Sequence, residues 1–436
     1  MDEDERPRNI QTRVSKDRIS SLPDDLLIQI LSRVPTEDAV ATTFLSKRWR
    51  YVWIMLPRLD YKDTGKRKSI WWLLDQSIRL YQAPRLERLR IRLGRHCPVD
   101  VDVTNWVAKA IDCCVRNLLF ALHWKTEPIR MPQALYTCNT LARLALISAK
   151  IIVDVPSPVS LPSLTQLELI RVVYRDEDSH VRLLSGCPVL KHLTVVRYAD
   201  VDDNVRKFSV KVPSLLTLWY ELRRVNEDDT DRSLVIDTPA LMHVGIFDSF
   251  GGSCTIEYMP HIVTASIAAT FYPEDNFLSS LSSIKNLELY PFDTMVPWCN
   301  AVNYFRLIEC RLRDFDPDWC ESLVVLLTNC PVLKKFMVDC NYEIDRSDDH
   351  VPVLWDQPSS VPKCLSSCLE FFRYTGYAGR EDERELIRYI SQNSKCLNRA
   401  EICLNPTCNR EEEEQMAEEF TSMPKVFVLK PETSSV

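Results

Sequence analysis

Side chains able to do chemistry are spread thinly over these 436 residues. A catalytic cysteine needs a base held beside it. Gly251-Gly252-Ser253-Cys254 supplies the cysteine with no placed His and Asn partners, so it reads as a turn. Cys364/Cys368 and Cys403/Cys408 are spaced loosely like metal ligands, but zinc sites more usually join two such pairs. Cys187, Cys330 and Cys364 fall at apolar positions, where a thiol packs as a small hydrophobe. The phosphate-loop, dinucleotide, zinc-protease and serine-elbow patterns are missing. No catalytic residue, metal or cofactor is therefore expected. Gly65-Lys66-Arg67-Lys68 reads as a solvated linker in preference to a nuclear address. The most suggestive chemistry is Arg88-Leu89-Arg90-Ile91-Arg92-Leu93. Alternation with period two puts Arg88, Arg90 and Arg92 on one face of a strand and the apolar set on the other. Three cations on one face suit an anion or an acidic partner; a solvated edge is the simpler reading.

That strand belongs to a series. A φ-x-x-φ-x-φ core recurs as Leu86/Leu89/Ile91, Val115/Leu118/Phe120, Leu141/Leu144/Leu146 and Leu164/Leu167/Leu169. Leu190/Leu193/Val195, Leu215/Leu218/Tyr220, Leu241/Val244/Ile246 and Ile284/Leu287/Leu289 continue it, with Ile262/Ala265/Ile267 as a weak copy. Val302/Phe305/Leu307 and Leu333/Phe336/Val338 extend it. Starts between residues 86 and 241 lie 23 to 29 apart, within the range of leucine-rich repeats. Several copies follow a proline, as in Cys187-Pro188-Val189-Leu190 and Cys330-Pro331-Val332-Leu333. Proline fixes φ and stops a helix from running into the strand.

Ahead of the repeats lies a short helical segment. Leu27, Ile30, Leu31 and Val34 are spaced as one helix stripe, and Trp49, Val52, Trp53 and Leu56 as another. Pro23 before Asp24 and Asp25 favours a helix start. Pro35 ends that helix, and Thr36 is the expected N-cap of the next. Three short helices bury very little, so such a module must dock on something.

Over ISSLPDDLL, ILSRVPTEDAV and FLSKRWRYVW the chain resembles the F-box of plant SCF ubiquitin ligases. CPVLKHL and CPVLKKF resemble the irregular repeats of plant F-box proteins. Residues 352–402, with Trp355, Val361-Pro362, Cys364-Leu365, Leu369, Glu385-Leu386, Tyr389-Ile390 and Leu397, look like the FBD region that follows such repeats. The fold implied is mixed α/β. A three-helix F-box would be followed by an irregular leucine-rich-repeat solenoid with parallel strands, closed by the FBD. The expected divisions are a disordered tail at 1–16, F-box at 17–60, linker and helix at 61–83 and solenoid at 84–345. The FBD region follows at 346–408, with an acidic segment and tail at 409–436. In the FBD, Leu365/Cys368/Phe371 and Leu397/Ala400/Ile402 would bracket a helix near 380–394. Glu411–Glu414 would be a solvated helix or linker, and Val426–Leu429 a last strand.

The resemblance implies a non-enzymatic receptor. Leu22, Pro23, Leu26, Ile30, Leu45 and Trp49 would form or support the face for a Skp-type adaptor, and through it a cullin. An unknown protein target would meet the concave face, with Arg88, Arg90, Arg92, Trp219 and Tyr304 as the main anchors. That face also includes Arg143, Gln166, Glu168, His192, His243, Phe247, Glu288, Tyr290 and Arg306. Its mixture of charge and aromatics, and a net charge of −7, argue against nucleic acid. No run is long and apolar enough to span a membrane. The mostly acidic residues 1–5 are unlike a secretory signal, and sixteen cysteines diluted over the chain suit reduced thiols. The expected location is nucleus or cytoplasm, not secreted.

Overall fold

The computed structural model describes residues 18–19, 21–63, 70–98, 103–123, 127–199, 203–224 and 232–257. It further describes 259–271, 280–290, 302–315, 320–340, 360–406, 408, 410–421 and 427–430. The Gly65–Lys68 cluster, Trp355 and the tail at 1–16 lie outside them.

Three helices open the chain: α1 (Asp24–Leu31), α2 (Thr36–Ala41) and α3 (Lys47–Trp53). Pro23 and Pro35 occupy the two N-cap positions. Thr36 is thus not the cap; it is the first helical residue, and its hydroxyl accepts the Asp60 amide at 2.8 Å. That bond ties the helices to β1 (Arg58–Lys62). The first stripe divides. Leu27 and Leu31 are buried, whereas Ile30 and Val34 face solvent. The second stripe, Trp49, Val52, Trp53 and Leu56, is buried throughout.

Parallel strands then follow one another. The first are β2 (Arg88–Leu93), β3 (Asn117–Leu122), β4 (Ile129–Arg130), β5 (Arg143–Ile147), β6 (Ile151–Val153), β7 (Gln166–Ile170) and β8 (Val173–Tyr174). The middle set is β9 (His192–Ala199), β10 (Lys207–Lys211), β11 (Thr217–Arg224), β12 (Ser233–Asp237), β13 (His243–Ile256) and β14 (Thr264–Phe271). The last are β15 (Asn286–Leu289), β16 (Glu309–Phe315), β17 (Lys335–Cys340), β18 (Phe371–Tyr377), β19 (Arg399–Leu404) and β20 (Phe427–Lys430). Seventeen form one connected sheet, and β4, β6 and β8 a three-stranded ladder beside it. In the seventeen, β10 and β12 make a side ladder that joins the end of β13. Helices α4 (Trp71–Leu80), α5 (Thr104–Asp112), α6 (Ser179–Ser185), α7 (Cys320–Thr328), α8 (Lys363–Ser367), α9 (Glu381–Asn393) and α10 (Arg410–Thr421) lie between strands. Parallel strands need a crossover for each return, and one strand per repeat on a common sheet is the leucine-rich-repeat arrangement.

The registers carry each repeat onto the next. Leu89, Leu118, Leu144, Leu167, Leu193, Leu218, Val244, Ala265 and Leu287 stand opposite one another in turn, and all are buried. Ile262/Ala265/Ile267, weak as a pattern, is a full repeat carrying β14.

Three expectations fail here. Val302/Phe305/Leu307 is not the strand core. Leu307/Cys310/Leu312 is, because Cys310 faces Leu287 in the register and packs as a buried apolar residue. Leu365/Cys368/Phe371 yields likewise to Leu369/Phe372/Tyr374. Leu365 belongs to α8, and the buried strand residues are Phe372 and Tyr374. Gly251–Cys254 is no turn. It lies within β13, where the chain leaves β14 and pairs with β12.

A buried charge cluster bolts the side ladder to the main sheet. Arg197 of β9 and Arg232 both bind Asp203, at 2.8 and 2.7 Å, and Arg197 donates to the Tyr220 hydroxyl at 3.0 Å. Beside it His180 stacks on Phe208, ring centroids 4.3 Å apart, and its Nε2 accepts the Ser209 amide at 2.9 Å. Burial, helped by the Arg197 charge, pushes this imidazole down to about 4.

Candidate interaction surfaces

The helical module presents apolar side chains that its own core does not use. α1 has two sides, Leu27 and Leu31 inward, Leu26 and Ile30 outward at 43% exposure each. The approach to α1 is fastened by Arg48 of α3, whose Nε donates to Asp24 Oδ1 at 2.8 Å. Another Arg48 nitrogen donates to the Leu22 carbonyl. Leu22 is half-buried and Pro23 exposed. Leu45 stands out at the start of α3, 67% exposed. Trp49 does not: it is buried with Val52 and Trp53 and supports the face from behind.

Phe44, 93% exposed, escaped the helical-spacing argument because it sits in a tight turn, Thr42–Phe44. The useful signal was its place directly before Leu45. Phe44 also lines an apolar cleft of about 560 Å³ between α2, α3 and α4, with Tyr51, Trp72 and Leu80.

The second surface is the open face of the sheet, which in a repeat solenoid is the concave side. Its side chains lie in rows set by the strand register. Arg88, Arg90 and Arg92 all project there from β2, half-buried, and Asp60 of β1 approaches Arg90 and Arg92 at 3.8 and 4.0 Å. Arg88 and Arg90 share a small cavity of about 100 Å³ with Arg143, Gln166 and Glu168. Trp219 lies five strands further along, about 24 Å at ordinary strand spacing. Its indole stacks on Phe247 at 4.5 Å, and Phe247 meets Tyr290 edge-on at 5.4 Å. The indole can lie there because the facing residue on β13 is Gly245. A Cβ on Gly245 would stand 2.6 Å from the ring.

Beyond the aromatics the face is ion-paired. Arg313 reaches Glu288 at 2.5 Å and Asp339 at 3.3 Å, and Arg311 reaches Asp339 at 2.7 Å. Arg373 donates to the fully buried Glu401 at 2.8 Å. Tyr304 is absent from this face. It lies in the turn before β16, buried at 3% exposure, a consequence of the misread repeat core at 302–307. Arg306 is exposed in that same turn, not on the strand.

The cysteines behave as packing residues. Cys187, Cys330 and Cys364 are buried, and burial pushes the Cys187 and Cys364 thiols up to about 12. A thiol so raised is no thiolate at neutral pH. Among the described residues no three His, Cys, Asp or Glu side chains gather as a metal site, and no helix is long and apolar enough to cross a membrane.

These surfaces sit on modules with known counterparts. Residues 19–61 match the F-box domain, residues 103–266 the LRR repeats of the FBD-associated F-box protein At5g56370, and residues 357–402 the FBD. The F-box/FBD/LRR-repeat protein At3g49480 of Arabidopsis thaliana is 54% identical over 433 residues, covering 95% of each chain. At1g22000, of the same description and organism, is 46% identical over 428 residues, covering 94% of this chain and 89% of its own. The Arabidopsis F-box/FBD/LRR-repeat protein At5g56420 is 35% identical over 416 residues, covering 94% and 97%. With all three modules matched in order and relatives aligned along almost its whole length, the chain belongs to the plant F-box/FBD/LRR-repeat family.

Proposed function

We propose that this chain is the substrate-recognition subunit of an SCF-type ubiquitin ligase. The F-box docks a Skp-type adaptor, and through it a cullin scaffold; the repeats hold a protein target. The observation that carries this reading is the outward row Leu26 and Ile30, with Phe44 and Leu45 beside it. A module that already has a buried core gains no stability from those side chains, and a few apolar anchors dominate a typical protein interface. Adaptor contact would involve Leu22, Pro23, Leu26, Ile30 and Leu45, with Trp49 as support.

Target contact would involve Arg88, Arg90, Arg92 and Trp219, with Phe247 and Tyr290. Ubiquitin transfer would be carried out by other subunits. This chain's part is to hold target lysines at high local concentration. The layout proposed for that receptor is the set of divisions expected from the sequence, with the nucleus or cytoplasm as its proposed place of work.

The test is co-purification with a Skp-type adaptor, followed by a reconstituted ubiquitination assay on a captured target. Leu22→Ala with Pro23→Ala should lose the adaptor. Full adaptor recovery from that double variant overturns the docking assignment. A second reading keeps the adaptor but makes the chain a scaffold; it predicts target capture with no ubiquitin added.

A further inference from the structure

The cleft of about 560 Å³ where α2 and α3 meet α4 has the size and walls of a ligand pocket. Pockets for small molecules run to about 300–1,000 Å³, favour junctions between modules, and join apolar walls to a few polar groups. Here the walls are largely rings, Phe44, Tyr51, Trp53 and Trp72, with Ile54 and Leu80. Phe44, Tyr51 and Trp72 are exposed, which leaves ring surface for a guest.

The helices hold these walls apart. Leu74 and Ile78 of α4 are buried in the core, whereas Trp72, Gln76 and Leu80, four residues apart, form a second stripe that lines the cleft. Where the chain leaves α4, the Gln82 amide donates to the Ile54 carbonyl at 3.5 Å and ties that exit to the end of α3. Two of the lining hydroxyls are spent on the chain itself. Thr43 donates to the Val40 carbonyl at 2.5 Å. Ser77 donates to the Leu73 carbonyl at 2.5 Å and meets the Tyr61 hydroxyl at 2.6 Å.

Trp53 differs from them. It is buried, and its indole N–H has no acceptor among the described residues. A buried donor without a partner is uncommon, and an oxygen brought into the cleft would satisfy it. Glu37 and Arg50, one charge of each sign, line the same cleft, so complementarity favours a guest without net charge. Flat rings favour a flat guest, which they can meet face-on or edge-on. We infer that the cleft binds a small, neutral, planar aromatic molecule whose carbonyl oxygen accepts the Trp53 N–H. The site does not depend on the repeats holding a target.

The experiment titrates the full chain with Prodan, a neutral dimethylaminonaphthalene ketone whose emission moves to the blue in apolar surroundings. The control is dimethylaminonaphthalene without the ketone. Prodan should bind saturably, about fivefold tighter than the control, the worth of one hydrogen bond. Trp53→Phe should erase that preference while the control still binds, a ratio that a general loss of affinity would not move. Trp72→Ala and Tyr51→Ala change exposed side chains and should weaken both compounds about tenfold, with the thermal midpoint unchanged. Equal affinity for the two compounds in the unaltered chain, or a Trp53→Phe chain that still prefers the ketone, overturns the hydrogen-bonded site. Affinities that survive both Trp72→Ala and Tyr51→Ala place binding elsewhere and overturn the cleft. Displacement of both compounds by excess Skp-type adaptor, with no preference for the ketone, makes the cleft a stretch of protein interface and overturns the ligand.

Discussion

The F-box and the sheet display side chains by opposite means. On α1 the outward residues Leu26 and Ile30 are of one kind, apolar and interchangeable in role. On the sheet each repeat contributes a different side chain to the same row: Arg90, Glu168, Trp219 and Glu288 share one register line through their intervening strands. A uniform apolar face fits one unchanging partner. A row that changes chemistry from strand to strand fits a partner that presents a matching order of charged and aromatic groups. The repeats keep their inward positions constant and leave the outward ones free to vary.

The sharpest way to break this contrast is from beneath. Leu193→Ala removes a buried strand residue and should cost about 2–5 kcal/mol through lost transfer energy and the cavity. Neighbouring repeats should loosen with it, which hydrogen exchange and the thermal midpoint would register. An unchanged midpoint contradicts the repeat register.

Acid should separate the two regions next. His180 titrates in the folded chain at about 4, against an ordinary 6.5. The unfolded chain therefore binds more protons between those values. The stability contributed by neutral His180 is complete above pH 6.5 and is lost as pH falls towards 4, on the order of 3 kcal/mol. The F-box, residues 19–61, contains no histidine, so exchange protection should fade in the repeats around β9–β13. His180→Gln should flatten that window in a pH-dependent melt.

Docking effects come after stability effects. Leu26→Ala with Ile30→Ala should weaken adaptor binding ten- to a hundredfold, about 1.4–2.8 kcal/mol, with the thermal midpoint unchanged. Calorimetric titration with the adaptor measures this directly. Smallest should be Arg90→Glu. It alters a half-exposed side chain near Asp60 and should shift target capture by about 1 kcal/mol or less. A pull-down that loses all target on this change would mean that the basic zone dominates the aromatic one.

How much was legible follows from the same contrast. The F-box was readable because its prolines, acids and apolar stripes occur in one fixed order. Its two-sidedness was not, since Ile30 and Leu31 look alike in a sequence. The early repeats were readable because Leu holds the middle inward position of each, from Leu89 to Leu218. The frame slipped where other residues did that job: Cys310 in β16, Phe372 and Tyr374 in β18. That slip moved Tyr304 from an anticipated anchor to a packed turn residue.

Gly245 gives the chain a grammar of pairs. The indole of Trp219 rests on the space that its neighbour leaves empty, so neither residue has its meaning alone. A relative that replaced this glycine by alanine would have to tilt or surrender the tryptophan, even with the tryptophan codon untouched. Comparing family members one column at a time would miss this. The unit that diversifies is two adjacent strands read together, and exchanging single repeats between relatives should transfer recognition poorly unless the repeat on the following side travels with it.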